Sequence, residues 1–149
     1  MSQLKNKYKI LKEQNLLIVV QEGTLNLESM INLMKILNEE PLFSPKFDQI
    51  VDLNEVIFDL STTDIKTYVY HLESSAKTYG KKRIALITNT PNQVTYSTLF
   101  KLAQEELQPL QSVQIFSTTQ KAYNFIGIKK ISFEEISQTL KELKKELAH

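Results

Sequence analysis

The sequence predicts an α/β domain, and three observations carry the prediction. Arg83–Thr88 is a short apolar run bounded by Gly80 and by Asn89–Asn92, the mark of a central strand covered on both faces. It turns with almost no loop into a helix. Thr90 stands as N-cap, Pro91 at the first helical position and Gln93 three residues after the cap, a capping box in which Pro pre-sets the first turn. Two further short apolar runs, Gln49–Leu53 and Val113–Ser117, are also followed by helix signals. Strands alternating with helices make crossover units.

The elements follow in order. Tyr8–Lys12 alternates, Glu13–Gln14–Asn15 is polar, and Leu16–Val20 is continuously apolar, which reads as a β-hairpin whose second strand ends at Gly23. From Asn26, residues Leu27, Met30, Ile31, Met34 and Leu37 fall on one helix face, and Pro41 stops the helix. The loop PLFSPKF holds Leu42, Phe43 and Phe47 and is expected to fold over the core. After Gln49–Leu53, Asn54–Leu60 reads as a connection. Ser61 with Asp64 opens a second helix, whose buried stripe is Ile65, Tyr68, Val69, Leu72, Ala76 and Tyr79, with Gly80 as its end. Pro91–Leu107 is the third helix, closed by Pro109, and Thr119–Ile126 a short fourth one ended by Gly127.

The tail differs. Ser132 and Glu135 form another capping pair, and Phe133, Ile136, Leu140, Leu143 and Leu147 repeat at alternating spacings of three and four. That is an a/d stripe, too short for a full coiled coil. It either docks on its own domain or pairs with a second chain, and the expectation leans to a homodimer.

Composition narrows the function. A chain of 149 residues is one domain with an ordinary share of apolar residues, 42%. It has no cysteine, so disulfides, thiolate ligands and a cysteine nucleophile are excluded. The opening MSQLKNKYK is polar and no apolar stretch approaches about 20 residues, so the expected location is cytoplasmic with no integral membrane segment. Net charge is +1 and Arg83 is the sole arginine, which argues against nucleic acid as a partner. Lys81–Lys82–Arg83 reads as the solvated lead-in to a strand.

No catalytic, metal or cofactor site is expected. His71 and His149 are the only histidines, and no Gly-x-Ser-x-Gly is present. The pairs Glu39–Glu40, Glu105–Glu106 and Glu134–Glu135 diverge on their helices and read as solvated faces. Asp52, Glu55 and Asp59 are better placed, because ligands of open α/β sheets bind beyond the carboxyl ends of strands. Asp52 and Asn89 are expected at neighbouring strand ends, with local amide capping the plainer role for Asp52. Phe43, Phe47, Phe58, Tyr68 and Tyr96 either line an apolar pocket under the PLFSPKF loop or simply belong to the core.

Taken together, the opening hairpin, IVDLNEV, RIALITNT and QIFSTTQKAYNFIG resemble the SpoIIAA-like branch of the STAS-like domains, over about Tyr8 to Gly127. The resemblance implies a mixed sheet of four or five strands with helices packed mainly on one face. It makes residues 8–127 the domain and 131–149 an extra C-terminal amphipathic helix. It implies a non-catalytic regulatory module without cofactor that works by binding protein. The strand-end residues Asp52, Glu55, Asp59, Asn89, Asn92 and Gln93 are the expected partner or ligand surface. It also implies a serine phosphorylation switch at the start of the second helix, with Ser61 at roughly the matching place, although DLSTTD lacks the relatives' Asp-Ser-Ser-Gly run. At a helix start Ser61, Thr62 and Thr63 are all candidates for such a switch, with plain capping the alternative. The alternative function is a carrier of a small apolar ligand or lipid between sheet and helices.

Overall fold

The computed structural model describes residues 3–75 and 81–148. Ala76, Tyr79, Gly80 and His149 lie outside the described residues. The chain opens with a hairpin, β1 (Lys5–Leu11) and β2 (Leu16–Leu25). Asn15 closes its turn with φ 52°, a left-handed conformation that Asn tolerates. Then follow α1 (Leu27–Glu39), β3 (Asp48–Phe58), α2 (Thr62–Ser75), β4 (Lys82–Ile87), α3 (Pro91–Leu107), β5 (Gln111–Phe116), α4 (Thr119–Ile126) and α5 (Phe133–Leu147).

The five strands form one sheet in the order β1-β2-β3-β4-β5, antiparallel at β1/β2 and parallel from β2 to β5. Each crossover steps the same way across the sheet, so a constant hand puts α1, α2 and α3 on one face. The opposite face carries α4 and α5. Helix starts follow the capping residues. Ser61 Oγ accepts from the Asp64 amide at 3.0 Å while Asp64 Oδ2 accepts from the Ser61 amide at 3.0 Å. Asn26 with Ser29 and Thr90 with Gln93 close the same reciprocal box.

Two strands run further than their sequence pattern. β2 passes through Gly23 to Leu25. Gly23 adopts φ 106°, and a Cβ there would stand 2.5 Å from the Gln3 carbonyl oxygen. Its role is to let the N-terminal segment cross, not to end the strand. β3 continues to Phe58 because both of its edges stay paired. On one side β2 follows it to the Leu25/Phe58 pair. On the other, β4 ends at Ile87, opposite Asp52, and the first turn of α3 takes over. Gln93 Nε2 donates to the carbonyl oxygens of Asn54 (3.0 Å) and Val56 (2.9 Å), and Asn92 Oδ1 accepts from the Phe58 amide at 3.0 Å.

The outer edge of β5 is covered similarly. Glu105 accepts from the Val113 amide at 2.9 Å and pairs with Lys101 at 2.8 Å, so it is not simply a solvated carboxylate. Burial would raise its pKa, but the Lys101 ammonium and the Val113 amide outweigh that and hold it lowered.

The stripe of α5 belongs to the core. Ile136, Leu140, Leu143 and Leu147 are buried in one cluster with Leu16, Ile18, Val20, Ile50, Ala85 and Ile87. Phe133 packs edge-on against Tyr123 with ring centroids 5.9 Å apart. The lean toward pairing with a second chain is therefore corrected. A sheet apolar on both faces needs cover on both, and α5 supplies it across β1 and β2.

Candidate functional site

Strand parity builds a cavity between the sheet and the crossover helices. Val19, Val51, Leu53, Ile84 and Leu86 point to that face from β2, β3 and β4. Met30, Leu33 and Leu37 of α1, Ile65, Tyr68 and Leu72 of α2, and Tyr96 and Phe100 of α3 oppose them, with Phe43 and Pro45 of the connecting loop at one end. The space inside is about 160 Å³. A dry apolar cavity of about 150 Å³ admits benzene. Its walls are braced by ring contacts, Phe58 stacked on Tyr96 at 5.6 Å and Tyr68 against Phe100 at 5.9 Å. Desolvation pushes the Tyr68 phenol up to about 12.

One end is polar. Lys82, the first residue of β4, is 9% exposed and lines the cavity. Its ammonium donates to the Pro45 carbonyl at 3.1 Å. Burial pulls its pKa down to about 8, against the opposing pull of the Asp48 carboxylate. Gln111 lies beside it in register on β5, and Gln104 Nε2 donates to Gln111 Oε1. Two cavity-lining atoms on α3, Ser97 Oγ and Gln104 Oε1, are buried with no hydrogen-bond partner among the described residues.

The sequence-selected residues fall in several places. Phe43, Phe58, Tyr68 and Tyr96 reach the cavity wall, whereas Phe47 packs edge-on against Phe43 at 6.3 Å. Asp52 and Gln93, each 1% exposed, cannot form a recognition surface, and that part of the expectation is corrected. Asp52 lies within β3 and faces α5, where its Oδ2 stands 2.8 Å from Lys144 Nζ and its Oδ1 accepts from the Asn54 amide at 3.0 Å. Gln93 is spent on the edge of β3, and its Oε1 takes the Asn89 amide at 2.7 Å. Asn92 is exposed but uses its Oδ1 on Phe58. Glu55, Asp59 and Asn89 are exposed. Ser61, Thr62 and Thr63 are exposed at the start of α2, with Ser61 as its cap.

Lys82 is the residue that sequence reading passed over. The signal was parity: Lys82 shares the alternation of Ile84 and Leu86, so it faces inward with them. The basic trio is split accordingly. Lys81 is exposed and Lys82 enters the cavity. Arg83 turns to the other face, where its Nη1 donates to the carbonyls of Phe125 and Ile126, both at 3.3 Å, and caps α4.

No protein-family model matches the chain, and no curated protein matches it in sequence. Among solved structures it is similar to an uncharacterised protein of the DUF3478 family with a SpoIIAA-like fold, from Shewanella loihica PV-4. The two share 16% identity at a TM-score of 0.52, over 85% of this chain and 97% of that one. No described helix is long and apolar enough to cross a membrane. The five-stranded mixed sheet, its crossover helices and this likeness give the chain a SpoIIAA-like α/β fold.

Proposed function

We propose that the chain is a carrier of a small molecule with an apolar body, held between the sheet and α1–α3. The observation that supports it is the cavity of about 160 Å³ with its aliphatic and aromatic walls. Binding sites of this kind are concave, mostly apolar and marked by a few placed polar groups. The rival reading, a protein-binding surface at the strand ends, is weakened because Asp52 and Gln93 are buried structural residues.

The test uses neutral probes, toluene and indole, added to methyl-labelled full-length protein. The expected result is saturable shifts of the methyl resonances of Leu53, Ile65 and Leu86, which line the cavity, with those of Ile136 and Leu140 on the opposite face unmoved. Shifts spread evenly over both faces, or none, would overturn the reading.

A further inference from the structure

We propose that the occupant is a monocarboxylic acid, seated with its carboxylate against the Lys82 ammonium and its apolar body toward Leu53 and Leu86; this rests on the carrier reading above. The first support is the position of the lysine. Lys82 is nine-tenths buried on a wall that is otherwise largely apolar, and among the described residues no carboxylate lies within ion-pair distance of it. Asp48 acts on it only at longer range and spends Oδ1 on the Arg83 amide at 2.8 Å. A buried cation without a counter-ion is costly. A ligand carboxylate supplies that counter-ion, and the desolvation of the ammonium is already borne by the empty protein.

The second support is the unfinished polar network. Among the described residues, Gln104 has one buried carboxamide atom with no hydrogen-bond partner, next to the Gln111 side chain that neighbours Lys82. Turning both carboxamides over reverses their mutual bond and presents an N–H of Gln104 in place of its oxygen. The pair can therefore donate to a carboxylate oxygen without breaking its own contact.

Charge count selects the class. The single arginine is committed to α4 on the other face, so among the described residues the cavity offers one cation, Lys82. One carboxylate neutralises it, whereas a phosphate monoester would bring a second, uncompensated negative charge into a largely buried site. The volume limits the apolar body to about one aromatic ring with a short linker.

The experiment compares 3-phenylpropanoate with 3-phenylpropan-1-ol, of similar size and shape, on the full chain at pH 7 by calorimetry. The acid is expected to bind at least tenfold tighter. In Lys82→Met that preference vanishes, through loss of acid affinity much larger than any change for the alcohol. In the wild-type protein, the Lys82 Cε resonance gives a readout that needs no variant: its titration moves to higher pH with the acid and stays put with the alcohol. Equal affinities for acid and alcohol, a preference that survives Lys82→Met, or an unmoved Lys82 titration would overturn the proposal. Alcohol binding without acid preference overturns this inference alone. Failure of both ligands overturns the carrier reading with it.

Discussion

Lys144 Nζ lies 2.8 Å from Oδ2 of Asp52, a contact that ties the C-terminal helix to the middle of the sheet. Asp52 is almost fully buried, whereas Lys144 is partly in water. The pair as a whole is therefore worth little net free energy, but stranding the carboxylate is expensive. Lys144→Met is expected to cost about 2 kcal/mol, the penalty of one unsatisfied buried group. Asp52→Asn combined with Lys144→Met should cost clearly less than the two single changes added together. Urea midpoints of the four proteins check this, and a Lys144→Met midpoint equal to wild type would show that the contact does not matter.

Gln93 substitutes for a missing strand. Its carboxamide donates to two carbonyls of β3 and accepts from the Asn89 amide. Gln93→Leu keeps the bulk and orphans those groups, for an expected loss of about 3 kcal/mol. Hydrogen exchange should quicken first at Phe58 and Asn89. Uniform quickening across the sheet would contradict a local role.

Lys82 and Tyr68 make stability depend on pH in opposite directions. Folding lowers Lys82 from 10.5 to about 8. Between those values the unfolded chain holds more protons, so stability rises with pH through that window. The full effect corresponds to about 3 kcal/mol. Tyr68 goes from 10.0 to about 12, so the folded chain keeps a proton that the unfolded chain releases, and stability falls as pH climbs from 10 to 12. Melting curves of the ligand-free protein should rise from pH 8 to 10 and decline beyond. Lys82→Met should abolish the rise and melt higher than wild type at pH 7, as expected where a functional group is held at a cost in stability. A flat profile in both proteins would rule out a titrating Lys82.

The α5 stripe makes a different prediction. Leu140 is buried in the core cluster with Ile18 and Val20. Leu140→Ala is expected to destabilise by about 3 kcal/mol, with an unfolding midpoint independent of protein concentration. A midpoint that climbs with concentration would mean that the stripe serves two chains.

The local framework was legible from the order of the amino acids alone. Thr90, Pro91 and Gln93 mark a helix start from local chemistry, because the cap and the fixed proline φ act within one turn. Periodicity likewise made α1, α2 and α5 legible, and the order of the elements carried the SpoIIAA-like resemblance.

Which of two contacts each ambiguous group makes depended on packing between distant segments. Asn54–Phe58 looks like a loop, yet it is strand because a glutamine 37 residues away from Val56 completes its edge. The stripe of α5 fits a partner chain or its own sheet equally well by spacing, and the uncovered β1–β2 face took it. Lys82 reads as surface charge until β4 is seen covered on both sides, when alternation forces it inward beside Ile84 and Leu86. In each case the deciding partner is remote in sequence, and composition and spacing carry no information about remote partners.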